Sequence, residues 1–472
     1  MSRSGLRIMI RWFPGGRLEN IVSLRFFARA GLSLLVSAVI CCLPARAQST
    51  IRDAEIEQIL RDFTDPILDA AQLRKEDVDV ILIDDPSLNA FVARGQNIHL
   101  FTGLILASET PSQLIGVIAH ETGHIEGGHN VRRMQDMKIA SRPAYISIGL
   151  GLLAIAAGAG DAGAALIASA PQFSYLNFAS HTRGQEASAD QAALRYLVAT
   201  GRTPAGLLEF FENFRDVQLY GENERYRYFY THPLASDRIE ALRRGAQASG
   251  LLDMPEDPDD VYKLEIMKAK LFGFIKAPMY VQREYPASDQ SVPARYARAI
   301  SAFRNDSLVQ ALELTDELIA DDPDNPWYQE LKGQILFENG KIEDSIEPYR
   351  KSLELAGGRQ PLLMVALARS LAARGNEGDL KEAEDLLTFA TSLEPTNAFA
   401  WHELSLVLEK MDRRPEAQLA VAEQAFFYGD CRRALSFSTR AVQELEYNSP
   451  KGIRATDITK ICSTQVEREE RR

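Results

Sequence analysis

The stretch Ala119-His120-Glu121-Thr122-Gly123-His124 constrains this chain more than any other. Read as a helix, it puts His120 and His124 one turn apart on one face, so both imidazoles can reach a single metal ion. Glu121 then lies within reach of the ion's remaining position, where a carboxylate can take the proton of an activated water. The helix is well signalled. Thr110 suits the N-cap, Pro111 the first helical position, and Gln113 completes a capping box. The run Leu114-Ile115-Gly116-Val117-Ile118-Ala119 is apolar enough to be buried. The same five-letter pattern also occurs by chance on buried helices, so a zinc reading needs further ligands from elsewhere in the chain.

A second cluster supplies one. Thr182-Arg183-Gly184-Gln185-Glu186-Ala187-Ser188-Ala189-Asp190 leads into a helical run through Leu197. Glu186 is the candidate third ligand. Asp190 lies one turn on, placed to hold a ligand histidine by its second nitrogen. Taken alone, the two carboxylates would read as a solvated helix face. A third cluster is Thr231-His232-Pro233-Leu234-Ala235-Ser236-Asp237-Arg238-Ile239. His232 and Arg238 could stabilise an oxyanion or anchor the loop that does; an isolated His-Pro is otherwise a turn. A histidine here could instead take zinc's fourth position and exclude water. Tyr226, Tyr228 and Tyr230 offer further donors nearby.

Around these clusters the spacing predicts an amphipathic helix over 52–75, a strand over 78–83, and a hairpin of 89–92 with 97–102 about Gly95. A sheet edge beside a metal helix can accept an extended peptide as an added strand. Residues 144–170 are Gly/Ala-rich and apolar. They read as a buried pair of helices packed through small residues, with a membrane-dipping hairpin as the alternative. Residues 253–293 are acidic, Pro-containing and polar by turns, and read as a linker holding one helix over 261–274. From 294 the chain is repetitive. Pro323 and Pro395 stand 72 residues apart, close to two units of a 34-residue helix–turn–helix repeat. Trp327, Leu331, Gly333 and Tyr349 follow the tetratricopeptide pattern loosely, and Trp401, Leu404 and Leu408 echo it. Four or five repeats are expected, closed by a capping helix over 454–467.

The N-terminus predicts export. Six arginines precede the apolar run 31–43, and Ala45-Arg46-Ala47 offers a cleavage site, so residues 1–47 read as a signal peptide. The chain carries a net charge of −12 as a whole, and without that segment it keeps 46 basic and 64 acidic residues, a net −18. Such a balance argues against nucleic acid or an anionic membrane surface as the main partner. Cys431 and Cys462 remain, an even pair in an exported chain, although their pairing does not follow from sequence.

Together and in order, H-E-x-x-H at 120–124, T-R-x-x-E-x-x-A-D at 182–190 and T-H-P-x-x-x-x-R-I at 231–239 resemble the gluzincin peptidases related to HtpX and the CAAX prenyl proteases. Asn89-Ala90-Phe91 and Thr102-Gly103-Leu104 look like the same family. The resemblance implies a mainly helical α+β metalloprotease domain over 48–252, followed after the linker by an all-α repeat solenoid over 294–472. It implies one zinc ion held by His120, His124 and Glu186, with Glu121 as general base, Asp190 behind the ligands and His232 near the open position. It also implies a periplasmic endopeptidase acting on misassembled outer-membrane β-barrel proteins, with a chaperone-like part in barrel assembly. The assembly machinery would be reached through the repeats, and the membrane at most peripherally. Two other functions remain open: a chaperone or scaffold whose zinc site is mostly closed, and a zinc hydrolase acting on cell-wall peptide.

Overall fold

The computed structural model describes residues 49–471 except 94, 130–141, 157–158, 215–223, 227, 229–231 and 234, and gives the backbone alone at 156, 160, 173–181 and 224. The expected signal peptide, Tyr230 and Thr231 lie outside the described residues.

A small sheet of order β1-β2-β4-β3 carries the metal helix. β1 (Thr50–Ile51) pairs antiparallel with β2 (Val80–Ile83), which runs parallel to β4 (Asn97–Phe101). β3 (Ala90–Ala93) pairs antiparallel with β4 and forms the edge, Phe91 stacking on His99 across the pair at 4.7 Å. Between β1 and β2 runs α1 (Ala54–Ala70), capped by Asp53 and burying Ile56, Ile59, Leu60, Phe63, Ile67 and Leu68 as their spacing requires. After β4 come α2 (Thr102–Ala107) and α3 (Pro111–Glu126), the helix of the H-E-x-x-H motif. Thr110 is its N-cap residue, but the expected capping box is displaced. Gln113 reaches one residue further back and accepts from the Glu109 N–H at 2.9 Å, while the Thr110 side chain caps nothing.

The apolar stretch 144–170 also departs from expectation. It is a helix pair, α4 (Arg142–Ala156) and the start of α5 (Gly160–Ala199), yet it is not buried. Tyr145 is 69% exposed and Leu153 68%. Small residues do pack the two helices together, but they leave the large side chains pointing outward. Asp161 does not break the pair. It sits in the first turn of α5, where a carboxylate favours the helix, and α5 runs on unbroken to carry Glu186 and Asp190. Among the described residues no helix is long and apolar enough to cross a membrane. α6 (Ala205–Asn213), α7 (Ser236–Ser249), α8 (Pro258–Ile275) and α9 (Pro278–Glu284) complete this part.

Beyond residue 290 the chain forms five antiparallel helix pairs: α10 (Val292–Arg304) with α11 (Leu308–Asp321), α12 (Pro326–Glu338) with α13 (Ile342–Leu355), α14 (Pro361–Arg374) with α15 (Glu377–Leu393), α16 (Ala398–Lys410) with α17 (Arg414–Phe427), and α18 (Cys431–Glu444) with α19 (Pro450–Glu470). Side chains between the helices start the next one. Asn325, Gln360, Asn397 and Ser449 each accept from a backbone N–H of the following first turn. Cys431 and Cys462 are disulfide-bonded and join the last pair, their Cα atoms 4.9 Å apart.

The helix read as lying inside a linker is packed on both sides. Leu264, Met267 and Leu271 of α8 share one apolar core with α1 and α3 and with Tyr296, Ile300, Phe303 and Leu331 of the first repeats. At this seam Lys270, 3% exposed, places its Nζ 2.9 Å from Asp53, 3.1 Å from Glu55 and 3.7 Å from Glu330. Tyr296 donates to Glu55 at 2.8 Å. Burial taken alone would lower the Lys270 pKa; the facing Asp53, Tyr296, Glu55 and Glu330 reverse this and raise it well above the usual value. Arg52 crosses to Glu394 of α15 at 2.7 Å.

Candidate metal centre

α3 and α5 meet where their side chains are smallest. A Cβ on Gly123 would fall 2.9 Å from the Ala189 carbonyl, so the backbones approach as only glycine permits. That contact brings the two sequence clusters together. His120, His124, Glu186 and His232 are all buried, and one ligand atom from each lies within 4.8 Å of the others. His120 Nε2 is 3.1 Å from His124 Nε2 and 3.4 Å from Glu186 Oε2. His124 Nε2 is 3.5 Å from Glu186 Oε1. His232 Nδ1 stands 3.3 Å from His120 Nε2 and 3.1 Å from Glu186 Oε2. A tetrahedral zinc ion with bonds of about 2.0–2.1 Å separates its donor atoms by roughly 3.3 Å. The donor set therefore fits zinc in chemistry and in span.

The ligands are held from behind. Asp190 Oδ1 lies 3.0 Å from His120 Nδ1, which leaves Nε2 to face the centre. Arg238 grips Asp190 through Nε and a terminal nitrogen at 2.7 and 2.8 Å, approaches Glu186 at 3.1 Å, and donates to the Pro233 carbonyl at 2.7 Å. Of the roles considered for Arg238, the geometry matches the anchor of the loop. On the other ligand, His129 Nδ1 lies 2.9 Å from His124 Nδ1. The sequence offered only the five-residue offset beyond His124 as a sign of it.

Charge in the pocket is finely opposed. Burial alone would lower the His120 pKa, but Asp190 and Glu186 push it up to about 9. Burial would raise Glu186, yet the His232 and His120 rings hold it well below the carboxylate range. Burial and the His120 charge drive His124 well below its usual value. A cation drawn into this pocket thus replaces protons already attracted there. Glu121, 1% exposed, is raised by burial. Among the described residues its Oε1 has no hydrogen-bond partner, and His232 Nε2 lies 3.5 Å away. A buried carboxylate with spare acceptor capacity and a raised pKa suits a general base.

Upstream of His232, Arg225 and Tyr228 touch the chain just before the sheet edge. Just before β3, the Leu88 N–H donates to the Arg225 carbonyl at 2.7 Å, and the Tyr228 N–H donates back to Leu88 at 3.0 Å. Tyr228 is fully buried and stacks on the His232 ring at 4.5 Å, and the His232 N–H donates to the Tyr228 carbonyl at 2.9 Å. Burial raises the Tyr228 phenol well above its usual pKa, so it stays protonated.

Residues 50–246 match the profile of peptidase family M48. The beta-barrel assembly-enhancing protease of Escherichia coli (strain K12) is 24% identical over 410 residues, which cover 84% of this chain and 81% of that protein. The protein of the same name from Yersinia pestis is 21% identical over 375 residues, covering 78% and 75%. The metalloprotease LoiP of Escherichia coli (strain K12) is 28% identical over 170 residues, covering 35% of this chain and 61% of that protein. The chain is thus a zinc metallopeptidase whose residues 50–246 match the profile of peptidase family M48, and over most of its length it is similar to the beta-barrel assembly-enhancing proteases.

Proposed function

We propose that this chain is a cell-envelope endopeptidase that cleaves unfolded or misassembled outer-membrane β-barrel proteins and aids the assembly of others. The observation that carries the reading is the backbone pairing of Arg225 and Tyr228 with Leu88, just before β3, with His232 inside the metal cluster. An extended, unfolded peptide can add as a further strand on the nearby edge strand β3. The similar proteins named for β-barrel assembly support the substrate class, and the Cys431–Cys462 disulfide accords with an oxidising compartment such as the periplasm. The domain division at 48–252 and 294–472 goes with it, the repeats serving to hold clients and the assembly machinery.

In this reading His120, His124 and Glu186 hold the zinc, which when bound polarises the scissile carbonyl and acidifies a water. Glu121 accepts the water's proton and passes it to the leaving amine. Tyr228, kept protonated by burial, donates to the developing oxyanion once the His232 ring has swung aside. Asp190 and Arg238 fix the ligands throughout. With His232 in place the fourth position is filled by protein, which is the resting, closed state.

The test is the purified protein incubated with an unfolded β-barrel protein, with and without chelator. Cleavage that chelator abolishes supports the reading. Barrel folding improved without any cleavage would favour the scaffold function instead. Glu186→Gln is expected to bring zinc well below one ion per chain after dialysis; full occupancy would mean that another residue is the third ligand. His232→Ala is expected to raise cleavage, tenfold for each ~1.4 kcal/mol by which the ring favours the closed state. A clean loss of cleavage at full zinc occupancy would leave His232 the oxyanion role instead.

A further inference from the structure

We infer that His129 is a positioning residue for the metal ligand His124. α3 ends at Glu126, and the chain turns sharply at two glycines. Gly128 has φ +61, the left-handed conformation that glycine adopts without strain, and its N–H donates to the Ile125 carbonyl at 3.0 Å. The turn returns His129 to the end of the helix it has just left. The His129 ring lies so close to Gly127 that a Cβ there would fall 2.4 Å from His129 Nε2. Both glycines therefore make the seat, one by conformation and one by having no side chain.

In this seat His129 is buried and meets His124 edge to face, with ring centroids 4.9 Å apart and the two Nδ1 atoms at 2.9 Å. His124 turns its Nε2 toward His120 and Glu186, so Nδ1 is the nitrogen left over. A metal-bound histidine needs a partner for that second nitrogen, to fix its tautomer and ring orientation. For His120 the partner is the Asp190 carboxylate. For His124 it is the neutral ring of His129: the His124 Nδ1–H donates to His129 Nδ1, and the His129 proton rests on Nε2. The two histidines of the motif are thus held unequally. His124, backed by an uncharged acceptor, is the less basic of the pair and gives less electron density to the ion.

The inference rests on His124 being a zinc ligand, so the experiment carries His124→Ala beside the His129 variants. Zinc affinity is measured by competition with a chromophoric chelator on full-length protein, and the visible spectrum of the cobalt-substituted protein is recorded. His129→Ala is expected to weaken zinc binding by about 10–100-fold and to change the cobalt spectrum. His129→Asn, whose side-chain oxygen can reach the same place and accept the same bond, is expected to restore most of both. Wild-type affinity in His129→Ala, with zinc lost in His124→Ala, would overturn the positioning role alone. Equal losses in the Ala and Asn variants would overturn it too, since that pattern belongs to simple filling of space. Full zinc retention in His124→Ala would overturn the ligand reading beneath it.

Discussion

Glu121→Gln is expected to cut peptide hydrolysis by about 10²–10⁴-fold while the protein keeps its zinc. The substitution is nearly isosteric and removes no ligand. What it removes is an acceptor that can become a donor. Glu121 is almost wholly buried, its Oε1 has no hydrogen-bond partner among the described residues, and burial has moved its pKa upward in the direction of the working pH. A glutamine amide has the same shape and cannot take a proton. The effect is best read in a His232→Ala background, where the proposed resting block would be lifted. Cleavage rate and metal content are measured on one preparation. Undiminished cleavage with zinc present would take Glu121 out of the proton transfer.

Lys270→Met is expected to destabilise the chain by about 3–5 kcal/mol, because it strands buried carboxylates that share one cation. Asp53, Glu55 and Glu330 all face Lys270 across the seam between α1, α8 and α12. Three acids to one ammonium is an excess of negative charge, and Glu330 bears it. Burial pushes its pKa from 4.5 up to about 7, against the pull of Lys270. The folded state therefore holds this proton more tightly than the unfolded chain. Its contribution falls as the pH climbs from about 4.5 to about 7 and is level above that. Glu330→Gln should accordingly stabilise at pH 8, on the order of 1–3 kcal/mol, and be close to neutral at pH 5. Urea midpoints at the two pH values decide it: equal effects at both would mean that Glu330 is ionised throughout. A Lys270→Met protein as stable as the parent would mean that the seam hydrates rather than staying dry.

The parts legible in the sequence were those governed by short spacings. A four-residue period put His120 with His124 and Glu186 with Asp190, alternation marked the strand β2, and two short runs about Gly95 marked the hairpin of β3 and β4. The spacing of Pro323 and Pro395 marked the period of the helix pairs. What brings Glu186 to His120 is a different matter, since it depends on how closely two helices approach at Gly123. His129 stood in view but has a place only because the turn at Gly128 is left-handed. Periodicity also cannot tell which side of an apolar helix is covered, so 144–170 read as buried although Tyr145 and Leu153 face outward. Lys270 falls in the helix expected over 261–274, where nothing local sets it apart from any other lysine. Its three partners come from segments far apart in the chain, and no local pattern announces a charge that only tertiary structure buries.

The segment that carries His232 belongs to the same chain as the cluster it would close, and this changes how it competes. A ligand tethered by a short loop acts as though present at millimolar concentration. A peptide drifting free at micromolar levels loses that contest nearly every time, however well its sequence suits the cleft. A peptide already held by the helix pairs of the same molecule gains a comparable local concentration and meets the segment on even terms. Selection by this protein then turns less on the residues around the cleaved bond than on how long a client's loose end stays within reach.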